Sequence, residues 1–346
     1  MTDPTSASDP AQASEPTLFF VVGRGRSGTT LLAHMLGGHP AIAVAPEGFF
    51  VANLEAKYGA SAWDEPRITD FCRDLLRERR MASWHLPLPA LRARLRALGV
   101  DASYRQVCEA VYLSYAQDRL GKRTVRALGD KNPHYALLIP RLRRRFPRAR
   151  FIHVVRDPRD NVASYKQVPF DLRETHALAQ RWRLYNELIL SAARAAPGHF
   201  ARVRYEDLVR EPQSTMLQLC AFLGVSYDPA VLHLAERQTP GFYGLGQAWH
   251  ARLQGPLDSA RVGVFTQHLR PEEVAAVEHI CAPLLQRLGY DPRAAAASPS
   301  SLGVAARAGV GLGTASVWAE RVVFAMLPAS LRIGLINAYR KATGRA

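Results

Sequence analysis

The 346-residue sequence predicts an α/β fold: a three-layer, P-loop-like domain with a central, mostly parallel sheet, a helical insertion and a C-terminal helical extension. Three observations predict it. Short apolar runs alternate with helical spacing along most of the chain, the pattern of strands covered on both faces by crossover helices. Two of these runs, Leu18–Val22 and Phe151–Val155, end directly in polar turn segments, Gly23–Thr30 and Arg156–Asp160, that open helices. The composition, 48% hydrophobic and 22% charged, belongs to a globular chain with a sizeable core.

In chain order, residues 1–16 are rich in Ser, Pro and Ala without Lys or Arg, which predicts a disordered leader and not a secretory signal. A core domain is expected over 17–293. It opens with the strand Leu18–Val22 and the glycine-rich turn. A helix follows, carrying Leu31, Leu32, Met35 and Leu36, which Gly37, Gly38 and Pro40 end. A mixed region precedes a helical insertion between about Glu55 and Arg123, in three pieces, Pro66–Arg80, Pro89–Leu98 and Tyr104–Arg119, with arginines on the outer faces. Arg126–Gly129 reads as a short strand and His134–Phe146 as a basic helix. After Phe151–Val155, Asp157 caps a helix with Pro158 at its first position. Thr175–Ala195, Glu211–Leu223 and Pro271–Leu288 read as helices and Ala201–Arg204 as a strand. Residues 294–346 are expected to be an extension: a linker over Ala294–Gly313, then apolar patches at Val317–Leu327 and Leu331–Tyr339. Packing of this tail on the core is the expected outcome, and peripheral contact with a membrane surface the alternative.

Lys and Arg total 45 against 30 Asp and Glu, a net charge of +15. Only five of the cations are lysines, and a solvated basic surface accounts for most of the excess. The Arg141–Arg148 cluster has no interleaved aromatics, so no nucleic-acid partner is expected. Cys72, Cys108, Cys220 and Cys281 lie far apart and read as reduced core residues. No run reaches 18 apolar residues, which with the missing signal leaves the cytoplasm as the expected compartment. The eleven histidines form no HExxH pair, and no metal is expected.

The chemistry concentrates in two segments. In Gly23–Thr30 the backbone N–H groups and the positive end of a helix converge where a strand ends, which suits a phosphate. The spacing is that of a P-loop, but Thr29 stands where the lysine bridging β- and γ-phosphates belongs. That disfavours an ATP-dependent kinase and leaves a donor with a shorter 5′ anion, held by Arg26 and the Thr29 and Thr30 hydroxyls. In Arg156–Ser164 an arginine fork at a strand end is followed, two helical turns on, by a serine hydroxyl on the same side. A non-enzymatic anion- or RNA-binding module is the other rival reading.

RSGTT (Arg26–Thr30) and RDPRDNVAS (Arg156–Ser164), with His39-Pro40 and PEGF (Pro46–Phe49) between them, resemble the sulfotransferase family over about Leu18–Asp291. The similarity is greatest to its bacterial and tyrosylprotein-type branches. The resemblance implies transfer of a sulfuryl group from 3′-phosphoadenosine 5′-phosphosulfate to a hydroxyl on a small molecule, lipid, sugar or peptide. It implies that Arg26, Ser27, Gly28, Thr29 and Thr30 line the 5′ side and Arg156 and Ser164 the 3′ side. It further implies that Glu47 is the general base, that Lys131 and Arg26 are catalytic cations, and that Tyr205 lies near the nucleotide. Glu206, Asp207 and Leu208 read as capping and core residues, and Arg261, in the loop Ser259–Phe265, substitutes for a basic residue that the family places before an aromatic.

Overall fold

The computed structural model describes residues 15–60, 62–78, 80–168, 172–233, 257–292 and 303–326. Five strands, β1 (Thr17–Gly23), β2 (Ile42–Ala45), β3 (Ala127–Lys131), β4 (Arg150–Val155) and β5 (Phe200–Arg204), form one sheet in the order β2-β3-β1-β4-β5. Every neighbouring pair is parallel, with Val21 beside Lys131 and Gly23 beside Val154. Alternation along β1 sends Phe20 and Val22 into one apolar cluster and Phe19 and Val21 into another, on the opposite face. All four are fully buried, as the unbroken apolar run requires. An all-parallel sheet with flanking helices is the α/β class that the sequence predicts.

Helix α1 (Thr29–Gly37) follows β1. Its last turn is held by Lys122, whose ammonium donates to the carbonyls of Gly37, His39 and Ile42 and so joins the helix end to β2. β2 itself carries no signal a sequence reading would register: four residues between Pro40 and Pro46 are too few to show a period. The insertion comprises helices Glu65–Arg77, Leu88–Ala97 and Tyr104–Leu113. Asp64 caps the first by accepting from the Arg67 amide, and Ser103 with Gln106 forms a capping box on the third. The expected single helix to Arg119 changes at Ser114 into a π-helical turn, Ser114–Arg119. The expected His134–Phe146 helix is two pieces, a 3-10 turn Pro133–Leu137 and a helix Ile139–Arg145, because Pro140 has no N–H to donate back to the preceding turn and is tolerated only in a helix's first turn. The four cysteines are free and buried.

The tail departs from the expected linker. A helix begins at Val304, inside the 294–313 stretch, and runs to Met326 against Thr175–Ala195. Gln180 donates to Thr314 (3.1 Å), Arg181 to Ser316 (2.7 Å) and Glu320, and Tyr185 to Glu320 (2.6 Å). Contacts advance together along both helices, so the two run parallel. Composition misled here because Gly309 and Gly313 are not linker residues but points of close approach. A Cβ on Gly313 would lie 2.6 Å from the Ala177 carbonyl oxygen, whereas one on Gly311 would meet nothing within 4 Å. The leader up to residue 14 and the Leu331–Tyr339 patch lie outside the described residues. Among the described residues no helix is long and apolar enough to cross a membrane.

The two glycines give opposite expectations. Gly311→Ala should raise the melting temperature by about 2 °C, since alanine gains about 1 kcal/mol over glycine in an open helical position. Gly313→Ala should lower it, because the backbone of Ala177 must move, at about 1–3 kcal/mol. Differential scanning calorimetry reads both, and a gain at Gly313 would mean the helices do not touch there.

Candidate functional site

Because all five strands run the same way, their carboxyl ends share one edge of the sheet. Each delivers a candidate residue to it: Glu47 two positions past β2, Lys131 as the last residue of β3, the 24–30 loop past β1, Arg156 past β4 and Tyr205 past β5. In sheet order they form a row, with the loop in the middle, Lys131 and Glu47 on one side and Arg156 and Tyr205 on the other. Adjacent strands lie about 4.8 Å apart, so the row from Glu47 to Tyr205 spans on the order of 20 Å.

The loop has little room. A Cβ on Gly25 would lie 2.4 Å from the Tyr165 hydroxyl, and one on Gly28, at φ 92°, 2.5 Å from the Tyr205 ring. Arg26 takes a left-handed φ of 64°. From the helix after β4, Asn161 donates to the Gly25 carbonyl (2.9 Å) and to the Ser27 hydroxyl (3.1 Å), fixing the loop from below. Ser27 is therefore buried in the loop's support. Thr29 and Thr30 begin α1, where the first-turn amides have no partners within the helix and carry its positive end.

On the β4 side, Arg26 Nε donates to Ser164 Oγ (3.2 Å), Arg156 donates to the carbonyls of Arg26 (3.4 Å) and Arg261 (2.6 Å), and the Arg156 guanidinium lies 4.6 Å from the Tyr205 ring centroid. Burial, with the Arg156 charge as a further contribution, holds the Arg26 guanidinium below its ordinary value. A buried and a half-buried cation side by side favour an anion between them. Arg156 Nε is buried without a partner, a donor still available. Asp160 accepts from the Gly263 and Phe265 amides (2.8 and 2.9 Å) and so docks the 259–265 loop beside Arg156. Burial outweighs these bonds and the Arg156 charge and raises the Asp160 carboxyl. Glu206 accepts from the Asp157 amide and from the Tyr290 hydroxyl, each at 2.9 Å, which fixes the turn after β4.

On the β3 side, Lys131 bonds one oxygen of Glu47, and Arg80 pairs with the other. Gly48 is held by Asn132 (3.1 Å) and Tyr135 (2.8 Å) through its carbonyl, so the residue after Glu47 is fixed. Burial first, then the Arg80 charge, pulls the Lys131 ammonium down to about 7 against the raising effect of Asp130. Asp130 itself is fully buried and accepts from the Tyr112 hydroxyl at 2.7 Å.

Of the residues predicted from sequence, Arg26, Arg156, Ser164, Tyr205 and the loop come together, and so do Glu47 and Lys131. Arg261 meets the site through its carbonyl. His39 is structural: its Nδ1 accepts from the Ala41 amide (3.0 Å) and its Nε2 donates to the Ser226 carbonyl (2.8 Å). Arg80 was not anticipated as a site residue. The helix expected to carry it outward ends at Arg77, and Arg80 turns back in a left-handed conformation at φ 69°. Asn161 and Arg24 were also missed, the latter a buried cation 4.0 Å from the Tyr165 ring centroid. Among the described residues no group of three or more His, Cys, Asp or Glu is arranged to hold a metal ion.

A model of the Sulfotransferase family matches residues 16–229, and this span contains every strand and all of the row. The chain belongs to the sulfotransferase family. Protein-tyrosine sulfotransferase 2 from Gallus gallus is 28% identical over 298 residues, 82% of this chain and 71% of that protein. Nodulation protein NoeE from Sinorhizobium fredii (strain NBRC 101917 / NGR234) is 30% identical over 300 residues, 80% of this chain and 66% of that one. The sulfotransferase domain from the Synechococcus PCC 7002 olefin synthase superposes with a TM-score of 0.57 at 24% identity, over 80% of this chain and 95% of the domain, which is a likeness of fold. In this sulfotransferase the 259–265 loop lies beyond the matched span, tied to it by Asp160 and Arg156.

Asp160→Ala should release that loop. Amide exchange at Gly263 and Phe265 should rise by about tenfold or more, as expected when a segment loses the bonds that close it. Unchanged exchange at both amides would show that the loop is held by other contacts.

Proposed function

We propose that this sulfotransferase transfers a sulfuryl group from 3′-phosphoadenosine 5′-phosphosulfate to the hydroxyl of a small-molecule, lipid, sugar or peptide acceptor by in-line displacement, with Glu47 as general base. The observation that carries the reading is the row at the strand ends: a carboxylate and a cation on one side of an anion-binding loop, two converging guanidinium groups on the other. An ATP-dependent kinase would not need the second anion site and would need a lysine where Thr29 stands. Names of relatives support the same reading, since Protein-tyrosine sulfotransferase 2 is among them.

The cradle fits such a donor on its own geometry. Arg156 retains a buried, unpartnered donor, and glycine at 25 and 28 lets the loop pass against Tyr165 and Tyr205, where any side chain would collide. The amides of the 24–30 loop, Arg26, Thr29 and Thr30 would hold the 5′ side, with Ser27 supporting the loop and Gly28 letting it pack on the Tyr205 ring. Arg156 and Ser164 would hold the 3′-phosphate, with Arg261 alongside and the Tyr205 ring near the nucleotide. When bound, the donor supplies the sulfuryl group and an oxygen that leaves sulfur carrying negative charge.

Glu47 takes the acceptor's hydroxyl proton as the new O–S bond forms. Its two oxygens face Lys131 and Arg80, which orient the carboxylate. The half-exposed Arg80 side chain covers the solvent side, and an incoming hydroxyl displaces it to reach the carboxylate. Lys131 and Arg26 keep positive charge against the departing oxygen, where it stabilises the transition state more than the ground state.

Two measurements test this. By calorimetry, adenosine 3′,5′-bisphosphate should bind about 10- to 100-fold more tightly than AMP, and Arg156→Ala should erase most of the difference. Equal affinities in the wild type would remove the 3′-phosphate site. In turnover assays, Glu47→Gln should lose about 100-fold or more in kcat with donor affinity retained. Lys131 is charged below about pH 7 and neutral above it, so kcat/KM should fall as pH rises through that value, and Lys131→Arg should move the alkaline limb upward. A limb that stays in place in Lys131→Arg belongs to another group.

A further inference from the structure

The first residue of the loop, Arg24, points inward and is 3% exposed. Its guanidinium lies 4.0 Å from the Tyr165 ring centroid and 5.3 Å from that of Tyr185. Tyr165 also reaches the loop at its other end, since its hydroxyl occupies the space beside Gly25. Tyr185 stands on the Thr175–Ala195 helix and donates its hydroxyl to Glu320 at 2.6 Å. Arg181, one helical turn earlier, donates to the other oxygen of the same carboxylate. Glu320 belongs to the Val304–Met326 helix, well outside the span that the family model matches. An unbroken series of contacts thus runs from the tail helix through Tyr185 to Arg24 and the loop.

We propose that Glu320 is a positioning residue for the donor loop, acting through Tyr185 and Arg24; the inference rests on the donor reading given above. Without the carboxylate the buried Tyr185 hydroxyl and Arg181 guanidinium lose their shared acceptor, and the Tyr185 ring loses the bond that fixes its face against Arg24. The loop backbone has little room to absorb the change, because a Cβ on Gly25 would lie 2.4 Å from the Tyr165 hydroxyl. A shift of the ring therefore moves the loop backbone, whose amides must converge to bind an anion. The charge balance agrees with the geometry: burial favours the neutral Glu320 carboxyl, but Arg181, His134 and Arg24 outweigh it and hold the group below its ordinary value. The tail helix is in this reading part of the nucleotide site, although it supplies no atom to the ligand.

The test uses the full chain and adenosine 3′,5′-bisphosphate as probe, with dissociation constant and melting temperature measured together. Glu320→Ala and Tyr185→Phe should each weaken binding by about tenfold, and the double variant should be no weaker than Glu320→Ala alone, because both remove one link. Thr314→Ala removes the bond to Gln180 on the same helix interface without touching Tyr185. It should lower the melting temperature and leave binding unchanged. Wild-type affinity in Tyr185→Phe, or losses in Thr314→Ala equal to those in Glu320→Ala, would reduce Glu320 to a structural contact and overturn the inference. If Glu320→Ala does not fold, Tyr185→Phe and Thr314→Ala decide between the same outcomes. Failure of the wild type to bind the probe would instead overturn the donor reading, and this inference with it.

Discussion

The parallel pairing of β1 with β3 on one side and β4 on the other is the constraint on which the site depends. Parallel strands must all exit at one edge, so a chain that returns to the sheet five times brings five exits to one place. The register then sets the spacing. Val21 beside Lys131 and Gly23 beside Val154 put the loop between an ammonium and a guanidinium with no further adjustment. Apolar clusters on both faces hold the sheet, and the loop sits on its rim, where backbone amides are free to face a ligand.

The electrostatics of the rim are unbalanced by design of the sequence. Lys131 and Arg80 pair with the part-buried carboxylate of Glu47, Arg26 and Arg156 stand together on the other side of the row, and Asp160 is turned to the amides of a neighbouring loop. Burial first, and then a neighbouring cation, Arg156 for Arg26 and Arg80 for Lys131, lowers both groups. By contrast, the buried Arg159 is enclosed by Asp157 and Glu278, a closed ion cluster that braces the turn after β4. The same residue type thus serves as ligand-seeking group and as strut: Arg159 is enclosed by two carboxylates, whereas Arg156 has Asp160 only at 3.8 Å and keeps an unpartnered Nε.

The sequence makes some of this legible and hides the rest for physical reasons. The strand, glycines, hydroxyls and helix of 18–36 follow one another directly, so local spacing is enough to read them. Arg156 and Ser164 are also a local pair, two helical turns apart. Glu47 was legible through family resemblance alone, because its meaning depends on β2, a strand too short to show a period. Arg80 depends on a chain reversal at a left-handed arginine, which no propensity favours. The tail was read as linker because Ala, Gly and Ser serve flexible chain and close helix packing alike, and only the partner helix distinguishes them.

The insertion between β2 and β3 has a further consequence. It brings Arg80 to Glu47 and walls that end of the row, while the loops after β1, β4 and β5 come from separate stretches of chain. The two ends of the site are thus encoded by different blocks of sequence. Substitutions in the insertion's helices therefore bear first on the Glu47 end of the row, and substitutions in the 24–30 loop and the turn after β4 bear first on the Arg156 end.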